Sequence, residues 1–167
     1  MTTALTGAIP LSNEEMANML FAATEEVFTS MLGSRIQRLP EPETAQANSF
    51  DGVLSLVGLA GAVIGNGSVV CTAEGACAMS SRLLMMKFNN VDDEVLDALG
   101  EIANMIIGGF KNLLEPYLGR LQMSIPSVVY GKNIATRDSK TGVALAVRCA
   151  FPGGEFTVKI RLAVARE

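Results

Sequence analysis

The sequence predicts an α+β protein: one largely antiparallel sheet with its helices packed on one face, built from two helix-plus-strands units. Three observations carry this expectation. Helix-spaced apolar residues recur in two long segments, 13–32 and 91–117, and β-like runs follow each. Turn chemistry of the kind hairpins use separates the later runs, at 138–142 and 152–154. A shift of 86 residues carries Glu15, Ala17, Asn18 and Met19 onto Glu101, Ala103, Asn104 and Met105. The same shift sets Leu32-Gly33 on Leu118-Gly119 and Pro40 on Pro126. The expectation is therefore a single domain, 1–167, with internal repeats at about 11–72 and 97–165.

Taken in order, residues 13–32 place Met16, Met19, Leu20, Ala23, Val27 and Met31 on one side of a helix, with Ser12 or Asn13 available as cap. Residues 40–49 are polar and carry prolines, which reads as a loop. Two β-like runs follow, 52–60 and 68–72, with the glycine-bearing stretch 61–67 as the turn between them. Residues 73–88 form a second helix, which links the halves and is broken by Asn89-Asn90. After the long third helix, 91–117, strands are expected near 124–131, 143–150 and 155–164. The strand at 143–150 is apolar and low in charge, which suits either a sheet edge open to a second copy or a central position.

Bulk composition narrows the function. Nearly half of the 167 residues are apolar and fewer than a fifth are charged, which fits a globular chain with a sizeable core. The net charge of −4 and scattered basic residues weigh against a nucleic-acid surface. There is no histidine, so a Cys/His pair, a Ser/His/Asp triad and a His-ligated zinc site are excluded. The three cysteines, Cys71, Cys77 and Cys149, show no regular spacing, which fits a reducing cytosol better than a disulfide scaffold. The N-terminus lacks signal-peptide character, and the longest near-apolar run, 53–64, is too short to span a bilayer. A cytoplasmic protein without membrane insertion is expected. The carboxylates show no ligand spacing that would mark a metal site. The glycines at 58, 61, 65 and 67 read as bends in β-like runs, not as a phosphate-cradling loop.

The third helix is the informative element. Val95, Leu96, Leu99, Ile102, Ala103, Ile106, Phe110 and Leu113 gather on the side expected to dock on the sheet. Asp92 and Asp93 sit at the positive end of the helix dipole. Opposite, Asp97, Glu101, Asn104, Gly108 and Lys111 share an arc of roughly 80°. Gly108 and Gly109 each cost about 1 kcal/mol relative to alanine in a helix interior. Either another backbone approaches Gly108 closely or the glycine serves helix packing. Taken alone, this face is a polar stripe with an unexplained glycine.

The segment from Asp97 through Glu101 and Asn104 to Gly108, with Lys111 and Pro126 beyond it, resembles the CheC/CheX family of chemotaxis phosphatases, and CheX most closely. The family pattern is an acidic residue or serine, then Glu, then Asn on one helix, and a later proline; Pro126 comes one residue early. Residues 21–33 resemble the first helix of CheX. The resemblance implies a phosphatase for the aspartyl phosphate of a CheY-like response-regulator receiver. Asn104 would position the attacking water and Glu101 would pair with the receiver's active-site lysine. Asp97, Gly108, Lys111 and Pro126 would contact the partner, Lys111 unless it simply lies in solvent. Mg²⁺ would come with the receiver, and a homodimer fits the CheX resemblance.

Glu15 and Asn18 are the first-half counterparts of the motif pair and mark a possible second site. There Ala22 replaces the glycine and Glu25 the lysine, which disfavours close docking. The alternative function is a non-catalytic receiver-binding or switch module of the same fold.

Overall fold

A computed structural model describes residues 9–41, 49–137 and 141–166. Its first helix, α1 (Asn13–Met31), begins at a capping box. Glu15 N–H donates to Ser12 Oγ (3.1 Å) and Ser12 N–H donates to Glu15 Oε2 (2.7 Å). Then come β1 (Gln37–Leu39), β2 (Ser49–Ala60), β3 (Val63–Cys71) and α2 (Ala73–Leu84). The long helix α3 (Asp93–Leu118) follows, with β4 (Gln122–Met123), β5 (Ser127–Ala135), β6 (Val143–Phe151) and β7 (Gly154–Val164) after it.

Among the described residues the strands form one seven-stranded sheet in the order β1-β6-β7-β3-β2-β4, with β5 also pairing β2. Every described pairing is antiparallel. The ladder between β3 and β7 runs from Val63↔Val164 to Cys71↔Phe156 and joins the two halves of the chain. Exchange of β2 with β6, β3 with β7, and β1 with the β4/β5 pair reproduces the sheet order. Alternation divides the faces. Val53, Val57, Val69, Val147, Val158 and Ile160 are buried in one core with the apolar faces of α1, α2 and α3. The intervening Leu54 and Leu56 are half-buried and exposed.

Several expectations about boundaries are corrected. The stretch 61–67 is not one long turn: β3 already begins at Val63, so Gly65 and Gly67 lie inside a strand. Contact explains them. A Cβ at Gly65 would strike the carbonyl of Arg161, and one at Gly67 would strike the Ile107 side chain of α3. The second helix ends at Leu84, short of 88, because Met85 turns left-handed (φ 54°) and Ser81 Oγ accepts from Phe88 N–H at 3.1 Å. The strand expected at 124–131 begins only at Ser127, after Pro126, which has no N–H to give a ladder, and it runs on to Ala135. The expected loop 40–49 yields Ser49 to β2; its residues 42–48, and 138–140 of the later turn, lie outside the described residues. The 143–150 strand is second from the sheet end, between β7 and the three-residue β1. Leu113 is 41% exposed instead of docked. Ile107, whose side chain reaches Gly67 of the sheet, and the fully buried Leu114 take the inward side instead.

Candidate functional site on α3

Asp92 starts the helix that carries the site. It is the N-cap, accepting from Val95 N–H at 2.9 Å. The apolar stripe then fixes the rotation of α3. Leu99, Ile102, Ala103, Ile106 and Phe110 are fully buried, so the opposite side must face outward. A close crossing with α1 holds the helix further along. A Cβ at Gly109 would sit 3.4 Å from that of Ala23, in van der Waals contact with α1.

Asp97 and Glu101 are exposed on the outward side and Asn104 is half-buried. Among the described residues, none of the three side chains has a hydrogen-bond or ion-pair partner. Glu101 and Asn104 are one helical step apart and project side by side. Pro126 joins them from the connection between β4 and β5. It and Val128 lie across Gly100, where an added Cβ would meet Pro126 Cγ and Val128 Cγ2 at 3.4 Å. The result is a shallow cleft lined by Asp93, Leu96, Asp97, Gly100, Glu101, Pro126 and Val128. Its charged lining is wholly acidic.

The remaining two residues of the stripe are otherwise engaged. Gly108 is half-buried, and a Cβ there would meet Met123 Cε and Sδ at 3.6 and 3.7 Å, so Met123 covers that point of the face. Lys111 Nζ pairs with Glu115 Oε1 at 2.6 Å, and Glu115 Oε2 accepts from Leu121 N–H at 3.2 Å. The bond from Lys111, then that from Leu121, holds the Glu115 carboxyl below its ordinary pKa. This unit fastens the chain after α3 to its last turn.

The first-half pair differs. Glu15 is committed to the capping box of α1, and Asn18 Oδ1 accepts from Arg38 Nη1 at 2.9 Å. Gly100, Leu96 and Val128, with Asp93, which the sequence places only at the helix dipole, are the lining residues that sequence reasoning missed. Gly100 carried a usable signal, since it breaks helix propensity as Gly108 does.

Alternative chemistry among the described residues is limited. Burial pushes the Cys71 and Cys149 thiols up to about 12 and raises Cys77 as well, so all three stay protonated and inert near neutrality. Among the described residues no group of three or more Cys, Asp or Glu side chains is placed to hold a metal ion. Nor is any helix there long and apolar enough to cross a membrane. A second hollow, bordered by Phe50, Leu54, Leu56, Lys159 and Arg161, contains no residue of the α3 stripe.

Comparison with known proteins bears on the family and the fold. The family model for the chemotaxis phosphatase CheX matches residues 53–149. No curated protein sequence matches the chain. Among solved structures, the chain is similar to the chemotaxis protein CheX from Vibrio vulnificus, with 25% identity and a TM-score of 0.77 over 91% of this chain and 99% of that one. It is similar to a chemotaxis protein CheX from Desulfovibrio desulfuricans, with 28% identity and a TM-score of 0.77 over 89% and 99%. A third similar structure is the CheX–CheY–BeF3–Mg²⁺ complex from Borrelia burgdorferi, with 26% identity and a TM-score of 0.74 over 87% and 96%.

Proposed function

The chain belongs to the family of the chemotaxis phosphatase CheX, and from that premise we propose that it hydrolyses the aspartyl phosphate of a CheY-like response-regulator receiver. The observation that carries this reading is the pair Glu101 and Asn104. They are adjacent on an outward helix face, beside the Pro126 cleft, and have no partner of their own among the described residues. A polar pair held ready and unspent suits a site completed by a second molecule.

Phosphoryl transfer asks the catalyst mainly for position and charge. The Asn104 carboxamide both donates and accepts, so it can hold a water in line with the phosphorus without acting as a strong base. Glu101 pairs with the receiver's lysine, and this charge-assisted contact sets the docking register. Asp97 adds to the same acidic edge, and Pro126 walls it. Gly108 lies against Met123 at the far end of this face, and Lys111 braces Glu115. Mg²⁺ comes bound to the receiver, where it offsets phosphoryl charge.

Only the second-half site is assigned this role, because capping and Arg38 occupy Glu15 and Asn18. Three further readings belong to the same proposal. The chain is one domain that arose by duplication of a helix-plus-strands unit, supported by the exchange symmetry of the sheet order. It works in the cytoplasm. It forms a homodimer, for which β6 offers an edge: among the described residues β1 pairs only Arg148, Cys149 and Ala150 of it.

The test is loss of phosphate from a phosphorylated CheY-like receiver with Mg²⁺, using wild type, Asn104→Ala and Glu101→Ala. Wild type should accelerate the loss. Asn104→Ala should abolish that acceleration while still binding, and Glu101→Ala should weaken binding. Receiver binding without acceleration by wild type would instead identify a non-catalytic receiver-binding module.

A further inference from the structure

We infer that Ile125 is a preset apolar anchor for the receiver, seated beside the acidic cleft, and that it sets affinity for the partner without taking part in the chemistry. The inference rests on the receiver-binding reading above and adds to it a residue outside the Asp97, Glu101, Asn104 and Pro126 set.

Ile125 is 86% exposed, a large branched aliphatic side chain with almost no cover from its own chain. Its backbone is nevertheless held from both sides. Ser124 N–H donates to the Gly58 carbonyl (2.9 Å), Gly58 N–H donates to Ser124 Oγ (2.8 Å), and Ser124 Oγ donates to the Ile125 carbonyl (2.9 Å). On the other side, the Pro126 ring rests across Gly100 of α3. Ile125 therefore projects from a fixed point between β4 and β5.

A clamped connection gives its exposed residue no structural reason to be apolar. Single exposed aliphatics are common on proteins. This one is distinguished by the clamp and by its neighbour Pro126, which lines the same cleft as Asp97 and Glu101. A β-branched side chain is stiff at χ1, and a fixed backbone removes most of the remaining ordering cost of binding. Such a residue meets the description of an interface anchor. The charge around it specifies the occupant. The charged groups lining the cleft, Asp93, Asp97 and Glu101, are all carboxylates. The surface that fits is one on the receiver that sets a lysine or arginine next to an apolar recess.

The experiment measures binding to receivers activated with beryllofluoride and Mg²⁺, and dephosphorylation rate against receiver concentration, for wild type, Ile125→Ser, Ile125→Val and Asn104→Ala. Ile125→Ser should weaken binding and raise the half-saturating receiver concentration roughly tenfold, with the saturated rate changed less than about twofold. Ile125→Val should recover most of the affinity, and the melting temperature of both should match wild type. Asn104→Ala should show the opposite split, a lost rate with affinity kept. Equal affinity of Ile125→Ser and wild type overturns the anchor and leaves the phosphatase reading intact. Wild type that binds without accelerating phosphate loss overturns the phosphatase reading, while the Ile125→Ser affinity still decides the anchor. Absence of binding by wild type to any receiver of its own organism overturns both.

Discussion

Asn18 and Asn104 fall on each other when the chain is shifted, yet they occupy different chemical situations. Arg38 already uses the Asn18 carbonyl oxygen, and Glu15 closes a capping box. Asn104 and Glu101 have no such partners among the described residues. An amide oxygen that accepts from a guanidinium is turned away from the task of holding a water. Asn18→Ala is therefore expected to leave receiver dephosphorylation unchanged, measured in the same assay as Asn104→Ala. A comparable loss in both variants would restore the two-site reading. The identities of the motif pair are legible in sequence. Whether each member is free is not, because Arg38 reaches Asn18 from another element.

At the scale of elements, α3 is positioned by what its buried side meets. Gly67 in β3 is the point where the sheet yields to it: a Cβ there would lie 2.8 Å from Ile107 Cγ1 and 3.0 Å from Ile160 Cδ1. Gly67→Val is expected to cost about 2 kcal/mol through overpacking, read as a lower urea midpoint with an unchanged slope. An unchanged midpoint would show that Ile107 can swing aside and that the helix is not seated on this glycine. In the sequence Gly67 reads as part of a bend, since a glycine in a β-like run serves bends and close approaches alike. The short strands β1 and β4 were missed for a related reason. Three and two residues are too few to show alternation, and they become strands only because β6 and β2 offer them an edge.

For the whole molecule, the β3–β7 ladder determines how the halves behave together. Nine register pairs connect strands from opposite halves of the chain. The core on the helix side is likewise shared, with Phe28 of α1 stacked on Phe156 of β7 at 4.7 Å and 2°. Neither half can open without exposing the other. A single cooperative transition is expected, with the calorimetric enthalpy equal to the van't Hoff enthalpy. Two resolved transitions would mean that the halves keep separate stabilities.

The sequence by itself determined the α+β class, the helix-then-strands order in both halves, and the outward stripe of α3, because local periodicity and caps encode these. Asp92 and Ser12 cap the helices that their spacing predicts. Tertiary structure alone decided the sheet order, the seating of Pro126 over Gly100, the cover of Gly108 by Met123, and the occupation of Asn18 by Arg38. Each of these depends on contacts between residues distant in the chain. A period of two or of 3.6 residues says which way a side chain points, but not what it will find there.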